Sequence, residues 1–289
     1  MKLAIIVPHF NPCGYARQTK NLVRFTNSII PQCGGIYLAW AKFDDVFTPA
    51  EFIGGVTRNA TPLNLMWQKE SLVNIAIRAL LDDYDAIAWI DADLLFCNPT
   101  WHYDTCLALE HFPVVQMFEK IIYFGPNGAP QSVAYGTASG PYRLTFNAPG
   151  GAIACRRELL TNGIYDRHPL GGGDEIFMDA CLGRQPRFFK DINASFREHI
   201  SRWCESFGQH PVGFISGVVK HLWHGDREGR QYTSRHQLLG SYNFDPAVDV
   251  RIGENGLLEW ASDKPALHAA VREYFVNRNE DDDGTAPQH

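Results

Sequence analysis

The chain has 289 residues, 45% of them hydrophobic and 12% aromatic, which allows a sizeable buried core within one α/β unit. No apolar run approaches the ~18 residues of a membrane span, and the stretch from Met1 to Pro8 is too short for a signal peptide. The net charge of −6 does not exclude a polyanionic partner: Glu280, Asp281, Asp282 and Asp283 supply four of those charges, and Arg187 to Arg235 holds eight Lys or Arg against five Asp or Glu.

Seven cysteines, odd in number and without a Cys-x-x-Cys pair, predict reduced thiols in a cytoplasmic protein and no zinc knuckle. Leu3 to Val7 is an apolar, β-branched run that Pro8 stops. A first strand should therefore end in a loop, Pro8 to Gly14, at the carboxyl edge of a sheet. Pro8, Phe10 and Asn11 there are either nucleotide contacts or ordinary turn residues. Leu22, Phe25 and Ile29 recur at helical spacing over Gln18 to Ile30, and Ile36 to Trp40 reads as a second strand. Neither Gly-x-Gly-x-x-Gly nor Gly-x-x-x-x-Gly-Lys follows the first strand, so dinucleotide-binding and P-loop chemistry are unsupported.

Asn64 to Asp82 predicts an amphipathic helix with Leu72, Val73, Ala76, Ile77, Leu80 and Leu81 buried. Glu70, Asn74 and Arg78 fall on the opposite, solvent-facing side. Lys69 and Asn74 lie near the helix start, where it approaches the strand edges, and are candidate site residues. Ala86 to Ile90 is nearly all apolar, as a buried parallel strand should be. It delivers Asp91 and Asp93 to the sheet edge where α/β proteins bind ligands. In extended chain these acids point the same way, and paired like charges call for a cation, Mg²⁺ or Mn²⁺.

Trp101 to Phe112 reads as a helix and Val114 to Phe118 as a strand. Residues 119 to 147 are irregular, with enough aromatics to be ordered. Gly150 and Gly151 edge a further strand, Ala148 to Cys155, where missing side chains let a ligand approach the backbone. Arg156 to Asn162 is a short helix. Gly171, Gly172 and Gly173 run into Asp174 and Glu175 at the start of a helix that Gly183 ends. Asp174 is either its N-cap or a functional carboxylate. Ile192 to Phe207 is amphipathic. Lys220 to Arg235 gathers His221, His224, Arg227, Arg230 and Arg235, a set suited to a metal and anionic oxygens. A helix over Lys264 to Arg278 precedes an acidic tail that reads as solvated and disordered.

Taken in order, the loop Pro8 to Pro12, the Asp91-x-Asp93 pair, the Gly171 to Asp174 run and the late His221 resemble the nucleotide-sugar-dependent glycosyltransferases of the GT-A fold. The resemblance implies a Rossmann-like, mostly parallel central sheet flanked by helices. It implies a single domain over 1–278, with a donor half to about 118 and an acceptor or closing half from 119, then the tail, 279–289. It further implies that Asp91, Asp93 and His221 hold Mn²⁺ or Mg²⁺ against a donor diphosphate. Pro8, Phe10 and Asn11 would touch the nucleoside, UDP being the expected one. Asp174 or Glu175 would meet the sugar or take the acceptor's proton. His224 stands where the family has glycine, so either histidine is open as the ligand. Lys69, Asn74, Gly150, Gly151, Arg230 and Arg235 complete the expected donor site. The acceptor is a saccharide or a modified nucleic acid such as hydroxymethylated DNA. The rival reading is a nucleotidyltransferase, which would carry a basic glycine-rich loop that Pro8 to Gly14 lacks.

Overall fold

The computed structural model describes residues 1–43, 54–80, 82–140, 147–226, 229–231 and 234–282. Leu81, Arg227 and Asp283, named above, lie outside the described residues. The first part of the chain runs β1 (Leu3–Phe10), α1 (Ala16–Cys33), β2 (Tyr37–Lys42), β3 (Gly54–Asn59), α2 (Lys69–Ala79), β4 (Ala86–Ile90) and β5 (Leu94–Phe96). Next come α3 (Trp101–His111), β6 (Val114–Gln116), β7 (Lys120–Phe124), β8 (Pro130–Gly136), β9 (Asn147–Ala148), β10 (Ala152–Arg156), α4 (Gly173–Cys181) and α5 (Ala194–Phe207). The last part comprises β11 (Val212–Phe214), β12 (Val218–His221), α6 (Ser234–Ser241), β13 (Val250–Ile252), β14 (Leu258–Trp260) and α7 (Pro265–Asn277).

The central sheet has seven strands in the order β11-β6-β10-β4-β1-β2-β3, and only β10 runs against its neighbours. The expected mostly parallel α/β architecture is therefore present. From β1 the chain moves outward to β2 and β3, then returns to β4 on the other side of β1. Such a reversal opens a crevice beyond the carboxyl ends of the two strands. Phe10 and Asp91 stand at its lips.

Strand β1 is apolar throughout because both faces are covered. Leu3, Ile5 and Val7 pack with Leu22, Phe25 and Ile29 of α1, while Ala4 and Ile6 pack with Leu72, Val73 and Ala76 of α2. Alternation along an extended chain produces this division. The expected polar face of α2 is not a surface. Glu70 and Asn74 are buried and only the Arg78 end is exposed, because residues 163 to 173 lie across that side. Helical periodicity locates the stripe facing the sheet but says nothing of a second cover.

The span from 119 to 147 is also more regular than expected: β7 and β8 pair as an antiparallel hairpin. They belong to a smaller five-stranded sheet, β5-β12-β7-β8-β9. In it β12 pairs antiparallel with β5, setting His221 opposite Leu94. The first strand continues through Pro8 to Phe10, so the loop begins later than the proline signals.

Leu72 is fully buried on the sheet side of α2. Leu72→Ala should cost about 2–5 kcal/mol, read as a lowered urea midpoint with unchanged m-value.

Candidate metal and nucleotide site

Two carboxylates separated by one residue would share a direction only in extended chain, and here the chain turns. The Leu94 amide donates to the Asp91 carbonyl at 3.3 Å, and β5 begins after that turn. Asp91 and Asp93 consequently serve different partners. Asp91 Oδ1 lies 2.6 Å from Lys69 Nζ, and the same ammonium lies 2.6 Å from Asp174 Oδ2. Asp93 meets two histidines: His224 Nε2 is 2.9 Å and His221 Nε2 is 3.6 Å from its Oδ2.

The small sheet makes the second arrangement. Pairing of β12 with β5 places His221 one step from Asp93, and the Leu222 amide donates to the Asp93 carbonyl at 2.8 Å. The two imidazoles stack at 5.1 Å between centroids. Among the described residues, Asp93, His221 and His224 are the one group of three potential metal ligands whose donor atoms lie within 4.8 Å of one another. The group differs from the expected set of Asp91, Asp93 and His221 in bringing His224 to Asp93 where Asp91 was expected, and both histidines lie against that carboxylate.

A divalent cation fits these residues. The second carboxylate oxygen of Asp93, Oδ1, is buried and accepts no hydrogen bond from the described residues. Burial drives the His221 imidazole down to about 3, so it is a neutral donor at physiological pH. Burial opposes ionisation of Asp93, but the two histidines and Arg230 hold its carboxyl well below the ordinary range. His224 has burial and Arg230 against its charge, yet Glu280 and Asp93 raise it.

Lys69 is almost completely buried. Burial works against the ammonium, but Asp174, then Asp91 and Glu70, outweigh it and hold its pKa above the usual lysine range. Asp174 is not the N-cap of α4: that position belongs to Gly172, and Asp174 sits inside the first turn. Its Oδ1 accepts weakly from Trp89 Nε1 at 3.4 Å. A Cβ on Gly150 would overlap the Asp174 carboxylate, and one on Gly151, whose φ is +100°, would press on Leu94 at 3.1 Å. The glycine pair thus makes room for protein atoms, where a ligand was expected.

Other expected residues fall elsewhere. The Glu175 carboxylate accepts from the amide and guanidinium of Arg187. Asn74 clamps Ile164 through its amide, donating to the carbonyl and accepting from the N–H. The Asn11 side chain is spent on both backbone groups of Tyr15. Arg230 is buried and donates to the Gly225 carbonyl at 2.9 Å, and Arg235 lies against His236. Only Pro8, Phe10, Lys69, Asp91, Asp93, His221 and His224 of the expected set line the cleft at the sheet edge.

The remaining walls include residues not singled out from sequence. Phe10 and Trp67 meet edge to face at 5.0 Å, and the Arg278 guanidinium lies 5.5 Å from the Trp67 ring. His9 is buried, which pushes it down to about 4, and among the described residues neither its Nε2 nor the Trp67 Nε1 has a hydrogen-bond partner. Glu280, expected in a solvated tail, is fully buried beside His224. None of the seven cysteines forms a disulfide, and no described helix is long and apolar enough to cross a membrane.

No family model and no curated protein matches the sequence. Solved structures match its course. The catalytic domain of Drosophila β1,4-galactosyltransferase 7 in complex with xylobiose is similar at 14% identity and a TM-score of 0.44, over 92% of this chain and 97% of that one. Glucosyl-3-phosphoglycerate synthase from Mycobacterium tuberculosis, in complex with Mn²⁺, UDP and phosphoglyceric acid, is similar at 15% identity and a TM-score of 0.46, over 91% and 87%. The 4-diphosphocytidyl-2C-methyl-D-erythritol synthase from Anaerococcus prevotii is similar at 11% identity and a TM-score of 0.34, over 75% and 89%.

Glu70, behind Lys69, is pushed up to about 8 by burial first and by Asp174 next. Its unfolded value is 4.5, so the folded chain holds the extra proton between the two and stability falls as pH rises through that window. Glu70→Gln should flatten this fall and raise the melting temperature most above pH 8, measured by thermal unfolding from pH 5 to 9.

Proposed function

We propose that the protein is a metal-dependent glycosyltransferase that moves a sugar from a UDP-sugar to an acceptor hydroxyl. The observation that carries the reading is Asp93: a partly buried carboxylate flanked by two imidazoles, whose buried Oδ1 accepts no hydrogen bond from the described residues, facing the crevice where β1 and β4 part. One carboxylate and two imidazoles suit Mn²⁺ better than Mg²⁺, which prefers oxygen throughout. The same donor set would also take Fe²⁺, so nucleotide binding is the discriminating property.

When bound, the cation supplies positive charge to the phosphate oxygens of a departing diphosphate. The chain's own residues do the rest. Phe10 and Trp67 offer apolar faces to a base, and His9 and Trp67 offer buried ring nitrogens in need of partners. Arg278 brings a guanidinium to the same cleft. Asp174, about a fifth accessible, is held by Lys69 and is the carboxylate assigned to the acceptor's proton. The contact of Glu175 with the Arg187 amide and guanidinium supports giving that role to Asp174. A nucleotidyltransferase is disfavoured because the chain from Asn11 to Ala16 after β1 holds no basic side chain.

Calorimetry of UDP with Mn²⁺ should give binding that EDTA abolishes. Asp93→Asn should lose that binding, whereas Asp91→Asn should retain its metal dependence. Equal UDP affinity with Mn²⁺ and with EDTA would end the metal reading. A panel of nucleotide sugars, scored for release of nucleoside diphosphate, identifies the donor, and release by none contradicts the transferase. Asp174→Asn, which also takes one carboxylate from Lys69, should lower the melting temperature yet leave a folded protein that still binds UDP with Mn²⁺ and turns over about 10²–10⁴-fold more slowly. Full turnover in that variant would remove Asp174 from the chemistry.

A further inference from the structure

Glu280, Asp281 and Asp282 of the acidic run pack beside the candidate metal site. Glu280 is fully buried. Its Oε1 accepts from Arg278 Nε at 2.6 Å, and its Oε2 accepts from Gln18 Nε2 at 2.5 Å. The same Oε2 lies 3.5 Å from His224 Nδ1, on the side of the ring opposite Asp93. Burying a carboxylate is costly unless it is paired, so its position is held by these partners.

The segment around it is fastened to the site from several directions. The Asp281 carboxylate accepts from the amides of Ala16 and Arg17 at the start of α1, at 3.0 and 2.7 Å. Trp223, beside His224, donates from Nε1 to the Asp282 carbonyl at 2.9 Å. Gly225, with φ at +87°, has no room for a Cβ: it would meet the Arg278 carbonyl at 2.8 Å and Glu280 Cα at 3.1 Å. The backbone after His224 is thus pressed directly against Glu280.

An imidazole binds a metal through one nitrogen, and the group on the other nitrogen selects its tautomer and ring plane. We propose that Glu280 is a positioning residue: its carboxylate accepts a hydrogen bond from the Nδ1–H of His224, which leaves Nε2 unprotonated and turned toward Asp93 as a metal donor. The inference rests on the metal reading above and goes beyond it by making the last described turn of the chain a working part of the site.

Mn²⁺ titration by calorimetry tests it on the full chain, in wild type, Glu280→Gln, His224→Ala and the double variant. Glu280→Gln should weaken Mn²⁺ by about 10–100-fold. In the His224→Ala background the same change should add less than about threefold, since both substitutions remove one function. An equal loss in both backgrounds, or no loss in the first, overturns the proposal. Glu280→Gln also takes the Glu280 charge away from Arg278. Glu280→Asp is therefore made beside it, keeping that charge while withdrawing the acceptor from the imidazole, and should lose affinity as well. If Glu280→Gln does not fold, Glu280→Asp decides by the same cycle. In the Zn²⁺-loaded protein the ¹⁵N resonances of His224 should report a protonated Nδ1. A protonated Nε2 contradicts the assignment. Failure of wild type to bind Mn²⁺ at all instead rejects the metal reading, and this proposal with it.

Discussion

The buried ammonium of Lys69 is the constraint on which the site depends. It begins α2, reaches Asp91 at the end of β4 and Asp174 in the first turn of α4, and so joins three elements at one point. A charge this deep is tolerable only while its partners remain, and removing one partner of such a group typically costs about 3–5 kcal/mol. Glycine at 150 and at 173 lets the backbone close around Asp174 and Glu70 without steric conflict. By engaging Asp91, Lys69 also divides the two acids of the Asp-x-Asp pair. Asp93 faces the two histidines instead.

That division is the main lesson about what a sequence can tell. The apolar run ending in two acids was legible, as were strand β4, helices α1, α3, α5 and α7, and the glycine-led α4. The partners of the acids were not, because the same-side rule for alternate residues fails once the chain turns at Asp91 to Leu94. Lys69 and Asn74 were visible as residues near the sheet edge. Their roles depended on segments about ninety to a hundred residues away that no local pattern announces. The hairpin of β7 and β8 was hidden by its turn residues, and β3 offers two glycines, an arginine and an asparagine where a strand pattern would need alternation.

The far end of the chain was the least legible part. A run of four acids has the composition of a solvated tail, yet its first member is buried and its second accepts the opening amides of α1. Negative charge is favourable at a helix N-terminus, where amides lack partners. Tyr15 adds to the closure, donating to the Val276 carbonyl at 2.7 Å. The cleft is consequently walled by early and late segments of the described chain, from Pro8 to Glu280.

The most direct test of the account is where a metal sits. Crystals grown with Mn²⁺ and UDP, measured at the manganese absorption edge, should show one anomalous peak bounded by Asp93, His221 and His224, with Lys69 still bridging Asp91 and Asp174. A peak between Asp91 and Asp93 with Lys69 displaced, or UDP bound in the cleft with no peak at all, would contradict it.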